Sequence, residues 1–118
     1  MNAVNEYRRA KRRKVEQRSE VFDCMTERVI GTLSDLSETG MLMIANQALV
    51  NDALYQLRFS LTDASGTTRS IGVGAHELWS DPAAAPGQVW IGFRFIDISA
   101  PDLLILRAWV GEPGSEHV

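Results

Sequence analysis

The stretch LYQLRFSL, Leu54 to Leu61, sets Leu54, Gln56, Arg58 and Ser60 against Tyr55, Leu57, Phe59 and Leu61. A period of two places the second set on one face of a sheet, so the segment reads as a half-buried strand. The same signal recurs on both sides of it. The segment belongs to the candidate strand ALYQLRFSLT; EVFDCMT, RVIGTLSD and GMLMIA precede it, and TTRSIGVGAHELW and QVWIGFRFI follow. Turn residues separate the runs. DASGT, Asp63 to Thr67, has the composition of a hairpin loop, and SDPAAAPG, Ser80 to Gly87, reads as a longer loop whose prolines cannot donate to a ladder.

The period changes at the C-terminal end. In SAPDLLILRAWV, Ser99 stands three residues before Asp102, with Pro101 in the first turn, the signature of a helix start. Gly111 and Pro113 end the helix, and residues 112–118 are expected to be a flexible tail. The helix is apolar almost all round, which suits either a helix sunk in the domain's own core or one with a second face for a partner. Six short antiparallel strands closed by one helix predict an all-β fold, a six-stranded antiparallel β-barrel with a C-terminal α-helix, spanning residues 19–111. A flexible basic N-terminal arm, residues 1–18, leads into it.

Composition bounds the chemistry. At 118 residues and 45% hydrophobic, the chain suits a single domain with a modest core. Its apolar runs are far shorter than the roughly 20 residues of a spanning helix, the single Cys24 permits no internal disulfide, and no secretory signal is evident. A cytoplasmic protein without membrane insertion is expected. The net charge of −3 conceals an asymmetry: residues 1–20 carry seven basic and three acidic side chains, a local +4, and the rest carries five arginines and twelve acids. The arm suits either a solvated leader or a phosphate ligand, and the acidic body would repel a long polyanion, which argues against nucleic acid.

Catalytic readings lack their residues. His76 and His117 are the only histidines, so Cys24 has no evident base and no catalytic residue is assigned. Three Cys or His residues at no recognisable spacing argue against a metal site or a cofactor. Cys24 is expected to be a small buried hydrophobe, Met41 and Met43 core filler, and His76 a satisfied strand residue.

Binding residues are better supplied. The hexapeptide DLSETG, Asp35 to Gly40, lies between VIGTL and MLMIA, where a small barrel places a loop at its mouth. A guanine offers N–H donors on one edge, which a carboxylate accepts, and acceptors on another, which an arginine fork fills. Its ring is a face for a guanidinium. The arm supplies RRAKR, with Arg8, Arg9 and Arg12, and an overlapping frame RAKRR, with Arg9 and Arg13.

An RxxxR arm followed some twenty residues later by a [D/N]xSxxG turn resembles the signature of PilZ domains, bacterial receptors for the second messenger cyclic di-GMP. Here the turn gives Asp35, Ser37 and Gly40. The strand ending in Trp79, the run IGFRFIDIS and the helix PDLLILRAWV also stand where that family has comparable elements. The family pattern of two arginines, a third after two more residues and an apolar residue favours Arg8, Arg9 and Arg12 with Val15; the overlap with Arg13 leaves the frame open. The resemblance implies a non-enzymatic receptor. Arm arginines would contact phosphates and stack on guanine, Asp35 would read a guanine edge, and Ser37 and Gly40 would line the seat. Movement of the arm would pass the signal to a downstream protein partner. For Trp79 and Trp90, core packing is the expected fate, with an aromatic face for the ligand as the other possibility. The alternative is a protein-interaction adaptor that keeps the barrel without the nucleotide.

Overall fold

Alternation of apolar residues does produce the strands. The computed structural model describes residues 10–118, and in it β1 is Arg13–Lys14, β2 Glu20–Asp23, β3 Arg28–Leu36, β4 Gly40–Ala45, β5 Leu54–Thr62, β6 Thr68–Pro82 and β7 Val89–Ile98. The helix α1 follows, Ala100–Val110. The strands β3, β2, β5, β6, β7 and β4 pair in that order, and β4 returns to β3, so the six close into an antiparallel barrel. Closure leaves no long open edge. In β5, Leu57, Phe59 and Leu61 are buried while Gln56, Arg58 and Ser60 are exposed, as a period of two requires.

The core gathers one face of every barrel strand. Val21, Leu36, Met41, Met43, Leu57, Ile71 and Ile91 are wholly buried. Phe59 stacks on Phe95 and Tyr55 meets Phe93 edge to face. The helix stops one end of this core with Leu106, Trp109 and Val110. Its start is capped as the sequence suggests, the Ser99 hydroxyl accepting the Asp102 amide at 3.2 Å. Asp102 is bound in turn to the barrel, accepting the Gly72 amide at 3.0 Å. Leu104 points outward, 66% exposed.

Three segments depart from expectation. The strand β6 continues through Ser80 to Pro82, paired with β7, so the loop is confined to residues 83–88. The proline is tolerated because β5 has ended by His76, leaving that side of β6 without a partner to receive an N–H. Second, within the stretch expected to be a flexible arm, Arg13 and Lys14 pair with Leu36 and Asp35, on the edge of β3 that β2 no longer covers. Third, the tail runs beside β1: the Lys14 amide donates to the Glu116 carbonyl at 2.9 Å and the Val118 amide to the Arg12 carbonyl at 2.8 Å. The edge of β1 has been given a partner. Arg8 and Arg9 lie outside the described residues.

Phe59→Ala should cost about 3–5 kcal/mol, since the ring fills the barrel centre and the cavity cannot collapse within a closed sheet. Leu104→Ala on the outer face of α1 should stay within about 0.5 kcal/mol. Urea unfolding of the two variants checks the difference.

Candidate functional site

The turn between β3 and β4 is built by its own residues. The Ser37 amide donates to the Gly40 carbonyl at 2.9 Å, and the Ser37 hydroxyl accepts the Thr39 and Gly40 amides at 3.2 and 3.1 Å. Ser37 is only 2% exposed. Its hydroxyl is therefore committed to bracing the loop. Gly40 is fixed by a close approach: a Cβ there would run into the Phe93 carbonyl oxygen of β7, which pairs directly alongside. Both residues hold the turn against the barrel, and Asp35 is carried by the strand just before them.

A bulge aims Asp35. The register of β3 on β4 shifts between Leu33 and Asp35, so Leu33 opposes Met43 and Leu36 opposes Met41, all in the core, while Asp35 opposes Leu42. Without the bulge, strict alternation through Leu33, Ser34 and Asp35 would send Asp35 into the core with Leu33. Such bulges commonly re-aim one side chain. Leu42 pairs with Gly92 and Gly92 with Trp79, so Asp35, Leu42, Gly92 and Trp79 form one row across β3, β4, β7 and β6. In the next row Ile44 stands beside Trp90.

Trp79 is not in the core, as was expected of it. It is 45% exposed, and its indole lies flat where a side chain on Gly92 would otherwise stand. The absent side chain makes room for the ring on the outer surface. Trp90 is half-buried, and with Lys14, Asp35, Ile44 and Val118 it lines a cleft of about 440 Å³. The two tryptophans therefore stand in adjacent rows of the barrel's outer face, and Asp35 shares one of those rows.

The electrostatics at Asp35 are unbalanced. Arg12 Nε stands 3.5 Å from Oδ1, yet Oδ1 is buried without a hydrogen-bond partner among the described residues. Burial raises the carboxyl above its ordinary 3.8, and the opposing pull of Arg12 is the smaller effect. An acceptor held out of water with a lone pair unused is costly. It is also what a ligand N–H would find.

Strand geometry sorts the arm. Arg12 and Lys14 are two residues apart and share a face, whereas Arg13 points to the other side. Lys14 lies opposite Asp35 and lines the same cleft, where Glu116 holds it at 2.9 Å. The sequence motif leaves Lys14 outside and expects it to matter little; the signal that brings it to the cleft is its pairing opposite Asp35 once Arg13 and Lys14 are known to form a strand. Arg13 turns instead to α1, with Nη1 2.6 Å from Glu112 Oε1. The structure thus brings together Arg12, Asp35, Ser37 and Gly40 at one end of the β3–β4 hairpin and separates Arg13 from them.

The PilZ domain family model matches residues 6–112, taking in the arm, the turn, the barrel and the helix. The chain belongs to the PilZ family. PilZ domains are receptor and effector domains of a family that responds to cyclic di-GMP. The fold is also similar to that of the Bacillus subtilis inhibitor of motility MotI/DgrA, with a TM-score of 0.72 at 14% identity over 87% of this chain. The chain spans about half the length of that protein, 49%. No curated protein matches the chain. Among the described residues no helix is long and apolar enough to cross a membrane, and no group of three His, Cys, Asp or Glu side chains is placed to hold a metal ion.

Asp35→Asn should raise stability by about 1 kcal/mol near neutral pH, because it removes a buried charge and keeps the side-chain shape. The wild-type carboxyl has a folded pKa above its unfolded value, so the wild type recovers stability as pH falls through the folded pKa toward 3.8. The advantage of asparagine should therefore shrink with acid. Thermal melts between neutral pH and pH 4 check the trend.

Proposed function

We propose that this PilZ protein binds cyclic di-GMP on the outer face of its barrel, with the arm closing over the ligand. The observation that carries the reading is Asp35, a buried carboxylate with an unused acceptor beside Arg12 and Lys14 and on the same face as two tryptophans. Each chemical feature of the ligand has a counterpart there. The guanine N1–H and exocyclic amine donate to Asp35. The phosphates meet Arg12 and Lys14, and Arg8 and Arg9 of the arm add phosphate or stacking contacts. Trp79 and Trp90 supply faces against which purine rings pack. Ser37 and Gly40 serve by holding the turn.

The chemistry is recognition alone, and the dinucleotide leaves unchanged. Its negative charges relieve the mutual repulsion of the arm's cations, so arm placement and binding are coupled. A changed surface around the arm then meets a protein partner. Phosphate attraction without a guanine reader would accept any cyclic dinucleotide, and Asp35 is what makes the site selective.

Isothermal titration should give a Kd in the micromolar range or tighter for cyclic di-GMP, about −8 kcal/mol or better, with cyclic di-AMP much weaker. Asp35→Ala should lose roughly 1.5–3 kcal/mol of binding. Arg12→Ala should flatten the salt dependence, because a partly exposed phosphate contact has been removed. Equal affinity for cyclic di-AMP would end the guanine-reading role of Asp35.

A further inference from the structure

The arm sequence RRAKRR is degenerate in register. Slipping it by one residue exchanges the Arg8, Arg9, Arg12 frame for one using Arg9 and Arg13, at almost no change in local composition. In a strand, such a slip sends every side chain to the opposite face. Something other than the arginine spacing must choose the frame.

The choice lies on the inward side of β1. Arg13 Nη1 donates to the Trp109 carbonyl at 2.5 Å and to Glu112 Oε1 at 2.6 Å, and its guanidinium sits 4.0 Å from the Trp109 ring centroid. Glu112 is held from its other oxygen by the Ala64 amide at 2.9 Å, which ties the clasp to the β5–β6 hairpin. The two side chains are less than one-fifth exposed. A shielded arginine that donates from Nη1 to a carbonyl and a carboxylate while its guanidinium plane lies over an indole is satisfied by charge and packing together, and the compact ammonium of lysine would not reproduce the stacking. Both bonds from Arg13 to Glu112 and Trp109 would be lost in a slipped register.

We infer that Arg13 is a positioning residue, anchored by Glu112 and Trp109, which fixes β1 in the register that turns Arg12 and Lys14 toward Asp35 and the ligand. This rests on the cyclic di-GMP reading above. In that register Arg12 and Lys14 face Asp35 while Arg13 is withheld from phosphate. Glu112 and Trp109 thereby shape the site from the far end of the chain without touching the ligand.

The test compares Arg13→Ala, Glu112→Gln, Glu112→Ala, Arg13→Lys and the Arg13→Ala/Glu112→Ala pair. In the ligand-free protein, exchange of the Lys14 and Val15 amides, which now donate to the Glu116 and Ser34 carbonyls, should accelerate in every single variant, with the pair no faster than the faster single. Cyclic di-GMP affinity should fall about 3- to 10-fold in each single variant, non-additively in the pair, with the salt slope of the wild type retained. Arg13→Lys should not rescue. The proposal is overturned if Arg13→Ala flattens the salt slope as a phosphate contact would, if Arg13→Lys restores affinity, or if the Glu112 variants leave exchange and affinity unaltered. Should the wild-type chain fail to bind cyclic di-GMP, the functional reading falls, and the exchange data still decide the clasp.

Discussion

Closure of the barrel depends on β3 being paired along both edges. On one side it carries β4 through a tight hairpin; on the other it carries β2 and, where β2 has stopped, β1. Among the described residues no other strand holds three partners. The arrangement makes the segment around Asp35 the meeting point of the arm, the hairpin and the sheet. The bulge at Ser34 is the adjustment that lets a polar residue face outward there while Leu33 and Leu36 stay in the core.

Most of the fold could be read from alternation because each barrel strand has one wet face. The β5 pattern of Leu57, Phe59 and Leu61 against Gln56, Arg58 and Ser60 is the plainest case, and the Ser99–Asp102 cap marks the helix equally well. What escaped reading depends on partners far away in sequence. Pro82 looked like a loop residue because the end of β5 cannot be seen locally. Residues 115–118 looked unattached because their partners, Arg12 and Lys14, lie a whole domain earlier. Trp79 looked like a core residue since a large aromatic in a strand usually is one, and only the register that sets it over Gly92 shows otherwise.

The candidate site was legible as residue types and not as roles. Asp35, Ser37 and Gly40 do converge, yet Ser37 and Gly40 spend their chemistry on the turn. Of the three, Asp35 is the one that keeps a buried acceptor without a hydrogen-bond partner among the described residues. Under the cyclic di-GMP reading, stability and recognition would pull in opposite directions at this one side chain. Lys14 entered the cleft unannounced because β-strand spacing, unlike a motif, assigns a face only after the backbone is known to be extended.

The clasp at Arg13 joins residues separated by 96 and 99 positions along the chain. Contacts of that span bear the largest loop-closure entropy, and they gain nothing until α1 has docked to present Trp109 and Glu112. Loop-closure entropy therefore favours a clasp that closes late, once α1 stands on the barrel to receive Arg13. A contact formed late acts on unfolding more than on folding, so loss of the clasp should free β1 from residues 112–118 while the barrel endures.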